Sequence, residues 1–199
     1  MGTRNSTLVQ IGGEYKVAQY CQWDGYPDGQ GSGLINFLKR TNIDELKSKI
    51  KSLNRLSRGE VNNLWLESGH DGESDSVDIN ILEKFNELNP HLSRDCGGYQ
   101  LLELIEEGKV KSVDVDLNFP GQSLWCEWCY VIDLDLGKFE VYKGFNKEPL
   151  DDKERFFGFK TDPSTLYKQV KHLISFDLYN LPDEDQFIKS IESLISDDE

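Results

Sequence analysis

The stretch Gln22-Trp23-Asp24-Gly25-Tyr26-Pro27-Asp28-Gly29-Gln30-Gly31 concentrates residue types that hold small ligands. Glycines such as Gly29 and Gly31 let backbone N–H groups come close to a bound group, while Trp23 and Tyr26 offer flat faces for stacking and Asp24 an acceptor. A loop of this kind that runs straight into a helix presents free N–H groups to an anion. The plain alternative is a tightly turned connection plugged by its own aromatic residues. Matching positive charge stands nearby in the chain: Arg4, and the row Lys47, Lys51, Arg55 and Arg58, which a helix over residues 43–56 would line up as a basic stripe beside its apolar one. The alternative there is the solvated flank of an ordinary helix. Arg4, Gln22, Trp23, Asp24, Tyr26, Gly29, Gly31, Lys47, Lys51 and Arg55 are therefore the candidate ligand-binding residues.

Other constellations carry less chemistry. Cys126-Glu127-Trp128-Cys129 is a C-x-x-C inside a segment that reads as a strand, where residues three apart point to opposite faces. That spacing argues against a shared metal ion or a redox disulfide, and a structural zinc would need two more ligands from Cys21, Cys96 or His91. Four cysteines are too few for a disulfide scaffold in a chain of this length, so free thiols are expected. Asp71, Glu73, Asp75 and Asp78 suggest calcium, but Ser76 and Leu82 stand where a calcium loop needs Gly and Glu. His70, His91 and His172 lie in no recognisable catalytic motif. No metal, cofactor or catalytic residue is assigned.

The 199 residues include 22 Lys and Arg against 36 Asp and Glu, a net charge of −14, which argues against a nucleic-acid footprint over the whole surface. Residues 1–60 hold nine basic and six acidic side chains, a net +3, leaving −17 on residues 61–199. Such a split suggests two partner surfaces: a basic third for a small anionic ligand, and an acidic remainder for a basic protein partner. The alternative is an acidic surface that keeps the protein in solution. No apolar run approaches the roughly 18 residues of a membrane helix. Met1 to Asn5 lacks the apolar region of a secretory signal, and a cytoplasmic location is expected. The same opening fits the N-myristoylation pattern at Gly2, without a polybasic second anchor after it.

The elements that must position these residues follow from hydrophobic period and turn chemistry. Thr7 to Ile11 and Tyr15 to Trp23, joined at Gly12-Gly13, predict a hairpin; Trp125 to Asp133 and Lys138 to Lys143, joined through Gly137, predict a second. Val110 to Val115 alternates as a strand. Helices are predicted at about Leu34 to Arg40, from Ile43 to Leu56, at Glu60 to Glu67, Val77 to Leu88 and through Leu101 to Ile105. Two more are predicted from Pro163 to about Ser175 and from Pro182 to about Ile195. The glycines and proline between Asp24 and Gly33 argue against regular structure there. The sum is a single α+β domain over residues 1–195, with an antiparallel sheet built from the two hairpins, helices packed on it, and a frayed acidic tail at 196–199.

Gly2-Thr3-Arg4, the hairpin and Gln22-Trp23-Asp24-Gly25-Tyr26-Pro27, with Gly29 after it, resemble the opening of a set of uncharacterised proteins that begin Gly-Thr-Arg and carry Trp/Tyr-Asp-x-Tyr-Pro-x-Gly. Tyr130 to Asp135 and Phe139 to Tyr142 are similar to their second half; the resemblance implies membership and no activity. A strand within a few residues of the start, a glycine turn and a return to an Asp-bearing loop look like the layout of N-terminal-nucleophile amide hydrolases such as the choloylglycine hydrolases. Those enzymes need Cys, Ser or Thr as the mature first residue, whereas removal of Met1 here exposes Gly2, one residue before Thr3. The expectation is a non-catalytic protein that senses or sequesters an anionic, nucleotide-like ligand. The alternatives are an acidic protein that blocks a nucleic-acid-binding enzyme by charge mimicry, and an amide hydrolase.

Overall fold

Residues 2–74 and 76–196 are described in the computed structural model; Met1, Asp75 of the acidic loop, and residues 197–199 of the expected tail lie outside them. Along the chain come β1 (Asn5–Ile11), β2 (Glu14–Cys21), α1 (Ser32–Arg40), α2 (Ile43–Lys51), β3 (Asn54–Arg55), α3 (Arg58–Ser68) and α4 (Ile79–Leu88). There follow α5 (Gly98–Glu106), β4 (Ser112–Val113), β5 (Trp128–Asp133), β6 (Lys138–Lys143), β7 (Lys171–Asp177) and α6 (Glu184–Ser196). Both predicted hairpins form, β1 with β2 and β5 with β6, and the glycines at their turns, Gly12, Gly13 and Gly137, all take positive φ.

The fold is α+β, and its five-stranded sheet runs β2-β1-β5-β6-β7. The sheet is mixed, not antiparallel as expected, because the two hairpins meet through their first strands: β1 and β5 pair in parallel, Asn5 opposite Trp128 through Gln10 opposite Asp133. A parallel pair needs a long crossover, and the helical chain between the hairpins supplies it. One face of the sheet carries α1, α2, α5 and α6, with Thr7 of β1 against Gly98 and Phe139 stacked on Phe187. On the other face lie the excursions around residues 114–126 and 144–170, packed through Tyr20 on Phe119, Tyr142 on Phe156 and Tyr15 on Phe159. With both faces covered, β5 is buried at every residue.

Five local expectations change. The helix expected from Pro163 to Ser175 is a turn followed by β7: Asp162 accepts the Ser164 N–H at 2.8 Å, and Lys168 N and Val170 N bond to Asn146 O and Pro120 O instead of forming a helical ladder. The helix from Ile43 ends at Lys51, so Arg55 sits in β3 and Arg58 opens α3, and the basic stripe is cut. The strand expected over Val110 to Val115 shrinks to β4, and the glycine loop contains a five-residue π turn at Pro27–Gly31 that leads directly into α1.

The fifth change concerns the cysteines. Cys126 lies in the turn before β5, its N–H bonded to Gln122 O, so the strand spacing argument does not hold: the Cys126 thiol stands beside that of Cys129. All four cysteines are free, and burial, joined by the Cys126 thiol, pushes Cys129 well above its ordinary value. Burial raises Cys96 to about 11 from an ordinary 9.0, which makes its thiolate roughly a hundredfold scarcer at neutral pH. Iodoacetamide is therefore expected to label native Cys96 on the order of a hundredfold more slowly than the unfolded chain, followed by intact mass. Labelling at the unfolded rate would contradict that burial. Among the described residues no group of three or more His, Cys, Asp or Glu is placed to hold a metal ion, and no helix is long and apolar enough to cross a membrane.

Candidate functional site

Strand register gathers four loops at one end of the sheet. Asn5 pairs with Cys21 and with Trp128, and Trp128 pairs with Lys143. Arg4, the loop after Cys21, the turn before Trp128 and the loop after Lys143 therefore meet there. Gly25 N bonds to Thr3 O at 2.9 Å, Glu127 N to Arg4 O at 3.1 Å, and Gly144 N to Glu127 O at 2.8 Å, which ties the four together. The buried Tyr130 hydroxyl donates to Gly25 O at 2.9 Å from beneath.

The loops at this end carry four exposed aromatic side chains, together termed the platform. Trp23, Tyr26, Trp125 and Phe145 are 46%, 52%, 45% and 47% exposed, unusual for side chains of this size. The Trp23 indole donates to Asp95 at 2.6 Å, and the Arg4 guanidinium lies 4.6 Å from the centre of the Trp125 ring with Glu127 3.7 Å away. The two non-glycine residues with positive φ among the described residues, Asp24 (+58°) and Phe145 (+57°), both belong here. Such conformations cost about 1–3 kcal/mol each and persist where the surroundings impose them. Gln30 N bonds to Asp24 O at 2.8 Å, and Phe145 N to Ser123 O at 2.8 Å. Only glycine fits at position 29, where a Cβ would stand 2.4 Å from Asp24 O.

Several buried side-chain atoms in Arg4 to Thr7 and in the glycine loop have no hydrogen-bond partner: Arg4 Nε, Asn5 Oδ1, Ser6 Oγ, Thr7 Oγ1 and Gln30 Oε1, with Ser6 and Thr7 on opposite faces of β1. Among the described residues seven buried side-chain atoms are in that condition, four of them on the consecutive residues Arg4 to Thr7 and one on Gln30; the others are on Thr41 and His70. A buried polar atom without a partner costs about 1–3 kcal/mol. Glycines bring backbone close to these side chains: a Cβ on Gly97 would stand 2.1 Å from Gln30 Nε2, and one on Gly25 would stand 2.9 Å from Asn5 Cβ.

The structure brings together six of the ten candidate residues: Arg4, Gln22, Trp23, Asp24, Tyr26 and Gly29. Gln22 acts through its backbone, N–H to Arg94 O at 2.8 Å, and its side chain accepts from Tyr20. Gly31 belongs to the core, a Cβ there being 3.0 Å from Phe187. Lys47 and Lys51 sit at the far end of β1, where Asp135 receives the N–H groups of Gly12 and Gly13. Those two bonds, then the charges of Lys51 and Lys47, hold the Asp135 carboxyl below its ordinary value. Seven strand residues at ~3.3 Å each put the two lysines roughly 20 Å from Arg4. Lys47 bonds to Tyr179 at 3.1 Å, and Arg55 donates to Val115 O at 2.9 Å. Trp125, Glu127, Asp95 and Phe145 join the site without having been foreseen; Trp125 and Glu127 read as strand residues, and nothing local marks Phe145.

A second polar cluster lies on the sheet face opposite the helices, at the floor of a cavity of about 720 Å³. Arg155 Nε donates to Glu140 at 2.6 Å, one terminal nitrogen to Asp133 at 2.5 Å, and the other to Gln10 and Tyr15. The Tyr142 hydroxyl donates to Glu140 at 2.7 Å, and burial beside that carboxylate pushes the phenol well above its ordinary value. Every guanidinium nitrogen is engaged inside the protein, so the cluster is a closed pin with no donor left for an anion. His172 Nε2 lies 2.7 Å from Ser175 Oγ on exposed β7, with no carboxylate on its other nitrogen among the described residues, so the pair lacks the orienting group of a catalytic triad.

No family model, curated protein or solved structure matches the chain.

Proposed function

We propose that the protein binds, without turning over, a small planar anionic ligand of nucleotide type at the aromatic end of its sheet, and so senses or sequesters it. The observation that carries this reading is the gathering, at one end of the sheet, of loops that hold the exposed rings of Trp23, Tyr26, Trp125 and Phe145, with the Arg4 guanidinium over the Trp125 ring. Trp23, Tyr26, Trp125 and Phe145 supply faces for a base, and base–aromatic stacking contributes about 1–3 kcal/mol per ring. Arg4, whose Nε has no hydrogen-bond partner, supplies the guanidinium over the Trp125 ring for the anionic group, and Arg94 stands beside Asp95 on the Trp23 side. With Lys47, Lys51 and Arg55 elsewhere, stacking carries most of the affinity and phosphate charge the lesser part.

The test is native mass spectrometry for a copurified adduct, joined to a calorimetric titration with the common nucleoside monophosphates. Trp23→Ala and Trp125→Ala are each expected to weaken binding about tenfold or more, while Lys47→Ala leaves it unchanged. Binding that survives both tryptophan changes, or that depends on Lys47, would move the site away from this end of the sheet.

A further inference from the structure

A cleft of about 280 Å³ opens between β2 and the α3–α4 pair, and borders the glycine loop through Tyr20 and Arg94. Its wall is the Trp65 ring, stacked on Phe85 at 3.7 Å between centres and 8° between planes. Asp114 and Asp116 stand at its rim. Each turns one oxygen to its own backbone, Asp114 to Val115 N at 2.8 Å and Asp116 to Asn118 N at 2.9 Å, and keeps the other without a protein partner among the described residues. The one cation in the lining, Arg94, is offset by Asp95 at 3.9 Å.

The surroundings have the same sign. Between Arg58 and Leu92 the chain holds two basic residues, Arg58 and Lys84, against eight acidic ones. A concave site with low-dielectric walls focuses such a field and raises the local concentration of cations. The α3–α4 pair also leaves Leu66, Ile79 and Leu88 exposed, as is Val77 just before α4, with Leu66 and Val77 lining a neighbouring hollow that shares Trp65; Phe85, the one buried large apolar side chain of the two helices, lies outside the main core cluster.

We infer that this cleft is a docking site for a basic segment of a partner protein. An arginine side chain enters it, with its guanidinium between Asp114 and Asp116 and its stem along Trp65, and the exposed apolar residues of α3 and α4 receive the flanking side chains. Carboxylate and aromatic ring together match a guanidinium, which pairs with the first and stacks on the second.

The test uses the full chain, with hexa-arginine peptide and, separately, agmatine as probes. The readout is the Trp65 indole N–H resonance. The peptide is expected to shift that resonance, and Asp114→Asn combined with Asp116→Asn is expected to weaken binding at least about fivefold. The double change Asp185→Asn and Glu192→Gln, which removes the same charge from exposed positions on α6, is expected to leave affinity within about twofold. An unmoved Trp65 resonance, or equal losses in the two double variants, overturns the site. Agmatine binding as tightly as the peptide overturns the protein partner and makes the cleft a receptor for free amines.

Discussion

Arg155→Ala is expected to lower the unfolding free energy by about 3–5 kcal/mol, the cost of leaving a buried charge without its partner. Asp133 and Glu140 have side chains 1% and 11% exposed, and Arg155 is the cation paired with both; the other Asp133 oxygen accepts from Asp135 N and Leu136 N, and Glu140 also accepts from Tyr142. Burial opposes the charge of Arg155, but its hydrogen bonds to Glu140, Tyr15 and Asp133 outweigh that and hold its pKa above the ordinary value. Removing the guanidinium leaves two carboxylates on adjacent strands β5 and β6 without their cation, reached by water only from the cavity side. The next residue, Phe156, is fully buried against Tyr142, so the same change loosens the 144–170 excursion from the sheet. Urea unfolding measures the loss, and a change below about 1 kcal/mol would mean that water already solvates the carboxylates. Arg155→Met combined with Asp133→Asn and Glu140→Gln is expected to recover most of the stability, because the penalty comes from the uncompensated charges.

Arg155 also shows what was not legible in the chain. It sits in the polar run Asp151-Asp152-Lys153-Glu154-Arg155, which reads as solvated loop, and its partners are 13 to 145 residues away. Local pattern carries information about elements whose residues are neighbours. The hairpins β1–β2 and β5–β6 were legible because alternation and glycine turns are local, and so were most of the helix starts. The helix expected from Ile43 starts there; the one expected from Glu60 starts two residues earlier, at Arg58, behind a Ser57–Glu60 capping box. The parallel meeting of β1 with β5 was not legible, since nothing in either strand records which edge it offers.

Two local signals were read too far. Asp162-Pro163 opens a turn as readily as a helix, and the decision lay with backbone partners at Pro120 and Asn146. The recurring spacing of Lys47, Lys51, Arg55 and Arg58 described a helix that stops four residues short of Arg55. That stop, more than any feature of the glycine loop, changes the chemistry of the candidate site from a phosphate clamp to a stacking platform. Arg4, Trp23, Asp24 and Tyr26 stayed together because β1 and β2 are a hairpin, which returns the loop to the start of the chain.

Gly98→Ala is the sharpest test of how the helices set that platform. A Cβ there would stand 2.1 Å from Thr7 Oγ1, 2.3 Å from Thr7 Cβ and 2.6 Å from Thr7 Cγ2. Rotating the threonine relieves the first and third contacts but cannot move Cβ, and Thr7 is fully buried in a strand paired on both sides. The strand is held, so α5 must back away, and overpacking of this kind costs roughly 1–3 kcal/mol or more. Thr7→Gly alone weakens a strand by about 1 kcal/mol. Combined with Gly98→Ala it removes the Cβ that the new methyl meets, so the double variant is expected to be more stable than the sum of the two losses. Thermal melts of the four proteins give that coupling, and strict additivity would mean that α5 does not bear on Thr7. The displacement reaches the site as well: Gly97, one residue before α5, packs on Gln30, and Gln19 holds Cys96 O at 2.9 Å beside it. Any retreat of α5 therefore shifts the 94–97 segment, whose Asp95 carboxylate holds the Trp23 indole. A change in Trp23 emission in Gly98→Ala, reversed by Thr7→Gly, would link helix packing to the platform through that carboxylate.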